Sequence, residues 1–270
     1  MLHDVEGIAR EIGEYLKSRF GNPGDVSAKG PSGPSGRTTD LVTEVDFESE
    51  RRIIEHVAAV SPGAAVLGEE GGACLPDGSP LVGALEDVED LWIIDPLDGT
   101  VNFARSLPLF CVSIARYRFG VPAAGAIFAP MLNEMYTFDA SEGGGAFLDG
   151  NPIQVSDRAA IDGIASLSGV GPHFREAARN FMNWRRIGSC ALTMSWVACG
   201  RLDAYVQVEN ISPWDHAVAA PLVIEAGGVV THFDLQPWVF PLEAKTGIIT
   251  GSPQSHDVVA GVMRQLQAEA

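Results

Sequence analysis

Cysteine is scarce in this sequence, and the cysteines it has are scattered. Among 270 residues there are four of them, Cys74, Cys111, Cys190 and Cys199. No two have the C-x-x-C spacing of zinc and redox motifs, and the histidines form no H-E-x-x-H zinc motif. Few scattered cysteines in a long chain are typical of a reducing compartment, so we expect a cytoplasmic protein.

Positive charge and apolar runs are also sparse. Lys and Arg number 18 against 35 Asp and Glu, which gives a formal net charge of -17. Nucleic-acid backbones and anionic membranes attract clustered cations, so neither is an expected partner. The charged segment Met1 to Phe20 lacks the apolar core of a signal peptide. The uncharged run Ile187 to Gly200 is too short and too polar to span a bilayer.

The remaining composition is that of a folded protein. Hydrophobic residues make up 46% of the chain and charged residues 20%, which is enough apolar side chain for a full core. Apolar spacing predicts helices from Leu2 to Leu16, from Asp40 to Val60 with Thr43 as its cap, and from Trp214 to Ala226, where Pro221 should cause a kink. Several strands between residues 110 and 148 predict an antiparallel sheet. Helices and strands in this mixture favour an α/β (α+β) layered sandwich.

The most informative stretch runs from Asp95 to Thr100 and reads DPLDGT. It follows the apolar run 91–94, which is typical of a buried strand. Two carboxylates three residues apart at the end of a strand can converge on hard cations. The Gly-Thr pair after them can begin a helix whose N–H groups face an anion. A site for both a metal and an anion suits phosphate chemistry.

Two further acidic elements also follow predicted strands. Glu69 and Glu70 come after the strand predicted at 64–67, and Asp215 comes after the one at 203–208. Carboxylates from three separate elements can together hold two Mg2+ ions. Each has an ordinary explanation by itself, since Asp98-Gly99 is a common turn pair and Asp215 can stabilise a helix N-terminus. Their combination favours a metal site.

The order of these elements resembles the inositol monophosphatase family over nearly the whole chain. The motifs that carry the resemblance are Gly68-Glu69-Glu70, the segment WIIDPLDGTVNF from Trp92 to Phe103, Trp214-Asp215, and Glu225-Ala226-Gly227-Gly228. The resemblance implies a layered αβαβα sandwich of the sugar-phosphatase type, with alternating helix pairs and sheets. It also implies a single domain over residues 1–270, with an N-terminal lobe of about 1–150 and a C-terminal lobe of about 151–270. Members are Mg2+-dependent, lithium-sensitive phosphatases, commonly homodimers, and are related to fructose-1,6-bisphosphatases and bisphosphate nucleotidases.

The family pattern implies a set of metal ligands. Glu69, Asp95 and the backbone carbonyl of Leu97 are expected to hold a first Mg2+ ion. Asp95, Asp98 and Asp215 are expected to hold a second. Glu69 would also contact a third, weaker ion, which makes two or three ions per site.

The same pattern implies catalytic and substrate-binding residues. Thr100 and Asp46, together with Glu69, resemble the group that orients and deprotonates a metal-bound water, so no covalent intermediate is needed. As alternatives from the sequence, Asp46 can be the capping partner of Thr43, and Thr100 can be a plain helix cap. The expected contacts to the substrate come from Asp98, Gly99, Thr100, Cys190, Glu209 and Asp215.

Besides Pro221 in the helix after Asp215, the sequence departs from the family pattern at two places. Many relatives have a Lys about eleven residues before the position of Asp46, whereas this chain has Ser35 there, within a Gly/Pro/Ser-rich loop. Lys29 and Arg37 are the candidates to replace that Lys. Glu209 lies one residue closer to Asp215 than the residue that binds inositol in the animal enzymes, which puts the preference for inositol in doubt.

The expected reaction is hydrolysis of a small phosphate monoester, first of all inositol 1-phosphate to inositol and phosphate. Fructose 1,6-bisphosphate, 3'(2'),5'-bisphosphate nucleotides and histidinol phosphate are alternatives on the same scaffold. A second alternative is a haloacid-dehalogenase phosphatase with Asp95 as nucleophile, but that loop has its two Asp residues two apart rather than three. A third is a catalytically silent binding protein, which would leave the acidic set without a use.

Overall fold

A computed structural model of the chain describes residues 1–29, 41–81, 85–169, 172–240 and 246–268. The α-helices in these ranges are α1 (Leu2–Arg19), α2 (Glu44–Val60), α3 (Thr100–Ala104), α4 (Pro172–Ala178), α5 (Cys190–Ala198), α6 (Pro213–His216), α7 (Ala219–Glu225) and α8 (Pro253–Ala268). Within the described ranges, none of the helices combines the length and the apolar character that a bilayer-spanning segment needs.

The strands form one pair and two larger sheets. Strands β1 (Val26–Ala28) and β2 (Leu41–Thr43) pair antiparallel. The eight-stranded sheet contains β3 (Ala65–Gly68), β4 (Gly72–Cys74), β5 (Asp90–Asp98), β6 (Cys111–Arg118), β7 (Val121–Ala129), β8 (Glu134–Asp139), β9 (Gly145–Leu148) and β10 (Asn151–Pro152), in the order β10-β9-β8-β7-β6-β5-β3-β4. The five-stranded sheet contains β11 (Ile164–Ser168), β12 (Asn183–Arg185), β13 (Ala204–Ile211), β14 (Val229–His232) and β15 (Thr246–Gly251), in the order β12-β11-β13-β15-β14. Neighbouring strands from β5 to β10 are antiparallel, as predicted for the middle of the chain.

Helices cover both faces of both sheets. Successive residues of β5 point to opposite faces, so Trp92 packs with α1 and α2 while Ile93 packs with α5 and α7. Helices α5 and α7 also contact the near face of the five-stranded sheet, and α4 and α8 cover its far face. The layers therefore follow the order α1/α2, eight-stranded sheet, α5/α7, five-stranded sheet, α4/α8. This arrangement confirms the predicted αβαβα sandwich.

Helix α2 has the predicted N-cap, Thr43, but the helix begins after this residue and not at Asp40. Thr43 Oγ1 accepts from the N–H of Val45 at 3.2 Å, and the N–H of Thr43 donates to Asp46 Oδ2 at 2.9 Å. The prediction of a helix from residue 40 was wrong for residues 41–43, which form β2. Their backbone groups pair with β1. Pairing with a strand outweighed the helical spacing of the apolar residues.

The predicted helix from 214 to 226 is two helices, and the break between them lies one turn before Pro221. The break lies between α6 and α7, at Ala217 and Val218. Pro221 is the third residue of α7, within the first turn, where a backbone N–H has no partner inside the helix. Pro221 has no N–H to donate to the carbonyl oxygen of Ala217, four residues earlier, so the helical hydrogen-bond pattern is interrupted there, as expected of this proline.

Two glycines of α1 should respond in opposite ways to replacement by alanine. A Cβ at Gly13 would lie 2.1 Å from the ring of Phe128, whereas a Cβ at Gly7 would have no neighbour within 4 Å. Gly13→Ala should lower the free energy of unfolding by about 1–3 kcal/mol, because it overpacks the contact between α1 and β7. Gly7→Ala should raise it by about 0.5–1 kcal/mol, because alanine loses less backbone freedom in a helix. Urea unfolding of both variants checks this, and equal signs would contradict it.

Candidate active site

Two parallel strands bring Glu69 next to Asp95. Gly68 at the end of β3 pairs with Ile94 in β5, so the next residues of the two strands lie side by side. The carboxyl ends of adjacent parallel strands are a common position for binding residues in α/β sheets. The side chains of Glu69 and Asp95 are hydrogen-bonded to each other.

A bulge in β5 turns Asp98 to the same side as Asp95. Residues three apart in a regular strand point to opposite faces. Here Asp95 pairs with Ser113 and Asp98 pairs with Cys111, so an advance of three residues along β5 corresponds to two residues along β6. The extra residue lies at Pro96-Leu97, where proline, which has no N–H to donate, is tolerated. The bulge is the local reason that the spacing D-x-x-D can form one cluster.

Asp215 completes the cluster from a different part of the fold. It is the third residue of α6, and its Oδ2 accepts from the N–H of Ser212 at 2.5 Å. One carboxylate oxygen from each of Asp95, Asp98 and Asp215 lies within 4.8 Å of the other two. Residues 120 positions apart in the sequence thus converge on one point.

Helix α5 holds Asp98 in place. Asp98 Oδ2 accepts from Ser189 Oγ at 2.5 Å and from the N–H of Ala191 at 2.7 Å, and Oδ1 accepts from the N–H of Cys190 at 3.1 Å. A carboxylate at the start of a helix is favoured by the free N–H groups and by the helix dipole. Ser189, a residue that sequence reasoning did not assign to the site, both caps α5 and binds Asp98. A serine before an apolar helical run was the available signal.

The electrostatics of the cluster fit a divalent cation. Burial, followed by the charges of Glu69, Asp98 and Asp215, raises the pKa of Asp95 well above its usual range. Burial also raises the pKa of Asp98, although Ser189 and the amides of α5 oppose this. Buried carboxylates that repel each other are stabilised when a cation lies between them. Hard oxygen donors of this type suit Mg2+.

Asp46 and Thr100, which the family pattern implied as a catalytic pair, are hydrogen-bonded to each other. Thr100 Oγ1 lies 2.9 Å from Asp46 Oδ1 and 3.0 Å from the carbonyl oxygen of Leu97. Asp46 Oδ2 is occupied by the N–H and hydroxyl of Thr43 at 2.9 and 2.5 Å. Oδ2 of Asp46 thus accepts the hydrogen bonds from Thr43 that cap α2, and Oδ1 accepts the hydrogen bond from Thr100. Burial raises its pKa, while the hydrogen bonds from Thr43 and Thr100 oppose the shift.

Lys29 lies at the acidic site. Its Nζ is 2.6 Å from Glu69 Oε1 and 2.7 Å from Glu70 Oε1. Burial lowers the pKa of Lys29, but the two carboxylates outweigh burial and raise it above its usual value. For Glu70, burial and the charge of Glu69 outweigh the attraction of Lys29 and raise the pKa to about 7. Of the two candidates for the missing family Lys, Lys29 is therefore at the site, and Arg37 is outside the described residues, as is Ser35.

The remaining residues that the family pattern implied as substrate contacts are Gly99, Cys190 and Glu209. Gly99 is the N-cap of α3 with φ of 100°, a conformation that favours glycine, and a Cβ there would lie 3.0 Å from the carbonyl oxygen of Leu109. The amide of Cys190, expected to contact substrate, binds Asp98 here. Glu209 belongs to β13, but its side chain is outside the described part of the chain.

The chain matches known proteins over its whole fold. A model of the inositol monophosphatase family matches residues 2–268. The Thermotoga maritima protein "Fructose-1,6-bisphosphatase/inositol-1-monophosphatase" is 35% identical over 231 residues, which cover 84% of this chain and 82% of the relative. An inositol-1-monophosphatase of Synechocystis is 37% identical over 225 residues, which cover 79% and 73%. The solved structure of an IMPase from Thermotoga maritima superimposes with a TM-score of 0.81 at 31% identity, over 98% of this chain and 96% of that one.

These matches define a phosphoric monoester hydrolase on a sugar-phosphatase fold. The chain belongs to the inositol monophosphatase family. The resemblance stated from its motifs is thereby confirmed. The family is generally metal-dependent, and the cluster of Asp95, Asp98 and Asp215 could bind a metal.

Replacement of Lys29 by Met should make the protein more dependent on metal for its stability. Without the ammonium, Glu69 and Glu70 lose charge-assisted hydrogen bonds, so the metal-free protein should lose about 1–3 kcal/mol of unfolding free energy. Added Mg2+ should then raise the melting temperature by more than it does in the wild type, because no ammonium competes for Glu69. Thermal melts with and without Mg2+ measure this, with Lys17→Met on the exposed face of α1 as control. An equal Mg2+ shift in the Lys29 variant and the wild type would contradict the expectation.

Proposed function

We propose that this enzyme uses Mg2+ to hydrolyse a small phosphate monoester, and that inositol 1-phosphate is its substrate. The observation that carries the proposal is the cluster of Asp95, Asp98 and Asp215 within 4.8 Å, beside the hydrogen-bonded pair of Thr100 and Asp46. Cation ligands and a proton acceptor at one site are the parts that hydrolysis of a phosphate ester needs.

The acidic residues would hold the ions in the sets that the family pattern implies. Glu69, Asp95 and the carbonyl of Leu97 would hold one Mg2+ ion. Asp95, Asp98 and Asp215 would hold a second, and Glu69 would contribute to a third. The ions would neutralise the phosphate charge, lower the pKa of water and stabilise the departing alkoxide.

The proton of the attacking water would leave through Thr100. Because the Thr100 hydroxyl lies 2.9 Å from Asp46 Oδ1, it can donate its own proton to that oxygen while Oγ1 accepts one from water. Burial raises the pKa of Asp46, which makes it a stronger base than a solvated aspartate. No covalent bond to the protein forms on this route.

Backbone groups would bind the phosphate, and side chains would bind the rest of the substrate. The amides of Gly99 and Thr100, at the start of α3, would donate to phosphate oxygens, as free N–H groups at a helix N-terminus can. Glu209 would contact substrate hydroxyls, together with Asp98 and Asp215, and the amide of Cys190 would reach them only by sharing its N–H with Asp98. The protein would act as a homodimer in the cytoplasm, without a nucleic-acid or membrane partner, in keeping with the net charge of -17.

Fructose 1,6-bisphosphate is the second candidate substrate. The name of the Thermotoga maritima relative joins both activities, and that relative is 35% identical to this chain. One acidic site of this kind can therefore serve a ring polyol or a sugar bisphosphate, and Glu209 would influence the choice.

A phosphate-release panel tests the proposal. The substrates are inositol 1-phosphate, fructose 1,6-bisphosphate, adenosine 3',5'-bisphosphate and histidinol phosphate, each with and without Mg2+ and with increasing Li+. The highest kcat/KM with inositol 1-phosphate, dependent on Mg2+ and inhibited by Li+, would support the proposal. A higher value for another ester would reassign the substrate, and no Mg2+-stimulated release from any of them would favour a silent binding protein.

A further inference from the structure

Glu50 is a buried acid whose two oxygens both bind the loop after β3. It lies on α2 and is 5% exposed. Its Oε2 accepts from the N–H of Glu70 at 2.9 Å, and its Oε1 accepts from the N–H of Gly71 at 2.6 Å. Buried carboxylates are costly unless they are hydrogen-bonded in this way. The arrangement uses both oxygens of Glu50 on successive amides of one loop.

The loop fits closely around the Glu50 carboxylate. A Cβ at Gly68 would lie 2.5 Å from Oε2, and a Cβ at Gly71 would lie 2.8 Å from Oε1. Side chains at these two positions would therefore collide with Glu50. The two glycines on either side of Glu69 and Glu70 let the backbone approach the carboxylate, so the path of residues 68–71 depends on it.

Helix α2 connects this loop to the proton acceptor. Glu50 follows Asp46 by four residues, so the two side chains lie on the same face of the helix. Asp46 contacts Thr100, and Glu50 binds the loop that carries Glu69. Helix α2 thus fixes the distance between Thr100 and the loop that carries Glu69, two parts of the site that are far apart in the sequence.

We propose that Glu50 is a positioning residue that fixes the 68–71 loop and so places the Glu69 carboxylate beside Asp95 for cation binding. The inference rests on the proposed metal-dependent function. In the part of the chain that the structure describes, both hydrogen bonds of the Glu50 carboxylate come from backbone amides of the loop, so we infer that it acts through Glu69 and not on the substrate. This role adds to the site a residue of α2, in the outer helix layer beside the eight-stranded sheet.

Glu50→Gln tests the role, because Gln has the same shape but only one oxygen acceptor. Its NH2 group would face an amide N–H, so the loop should lose one hydrogen bond and shift. We expect the affinity for Mn2+, measured by electron paramagnetic resonance on the full chain, to fall about 10- to 100-fold. Glu55→Gln is the matched control on the same helix, since Glu55 is 63% exposed, and its Mn2+ affinity should equal that of the wild type.

A double variant separates positioning from a general structural effect. If Glu50 acts through Glu69, then Glu50→Gln should change Mn2+ affinity little in a Glu69→Gln background. An equal loss in both backgrounds, or wild-type affinity in Glu50→Gln, would overturn the proposal. If Glu50→Gln does not fold, Glu50→Asp keeps the charge on a shorter side chain and should show the same loss and the same dependence on Glu69. Absence of Mn2+ binding in the wild type would instead refute the proposed metal-dependent function.

Discussion

Asp95→Asn should reduce phosphate release by more than about 100-fold and at the same time stabilise the metal-free protein. Loss of a residue that only supports a ligand costs about 10- to 100-fold, and Asp95 is expected to contact both ions directly. Its carboxylate is 1% exposed and lies among three other acids that raise its pKa. Removing that charge relieves the repulsion, so the melting temperature without metal should rise by about 2–4 °C, which corresponds to about 1 kcal/mol in a protein of this size.

The fold should tolerate this change. Asp95 Oδ1 accepts from the N–H of Leu97 at 3.0 Å, a bond that the amide oxygen of Asn can keep. Phosphate release and thermal melts with and without Mg2+ are the measurements. Asp162→Asn, at an exposed position, is the control and should change neither. Activity near the wild-type level in Asp95→Asn would remove the basis for the metal site.

Thr100→Ala should lower kcat strongly while Mg2+ still binds. Assistance by a general base contributes about 100- to 10,000-fold, so at least a tenfold loss is expected when the hydroxyl between water and Asp46 is absent. The cation ligands are unchanged in this variant, and the hydroxyl is 2.9 Å from Asp46 Oδ1. The measurements are kcat and the Mg2+ concentration for half-maximal activity.

Thr100→Ser is the matched control for that experiment. Serine keeps the hydroxyl and should retain most of the activity, whereas alanine should not. If alanine changes only the Mg2+ requirement and leaves kcat intact, Thr100 is a structural helix residue. If serine is as inactive as alanine, the methyl group rather than the hydroxyl is important, and the proton route is wrong.

Local patterns in the sequence were sufficient for much of the fold. The period of apolar residues in α1 and the Thr43-Asp46 cap of α2 gave correct predictions, because these signals arise from contacts within a few residues. The cluster of Asp95, Asp98 and Asp215 was predicted from the order of motifs rather than from distance. Its cause, the bulge in β5, depends on the pairing with β6 and could not be obtained from β5 alone.

Features that depend on distant chain segments escaped prediction. Residues 41–43 became a strand because β1 pairs with them. Lys29 was one of two candidates for its place, but the partners that select it, Glu69 and Glu70, lie 40 and 41 residues away. The loop amides that donate to Glu50 lie 20 and 21 residues away. A single sequence contains no local signal for such pairs, because the residues adjacent to each partner in the sequence do not determine which distant segment it will meet.

The two oxygens of Asp46 have different hydrogen-bond partners, and this affects the stability of the first turn of α2 during catalysis. On the proposed route, a proton arrives at Oδ1 in each catalytic cycle, while Oδ2 keeps its bonds to Thr43. The first turn of α2 can therefore stay closed when the acid is neutralised, and repeated turnover does not fray the helix. Amide hydrogen exchange at Val45 should accordingly be as slow during steady-state catalysis as in the resting enzyme.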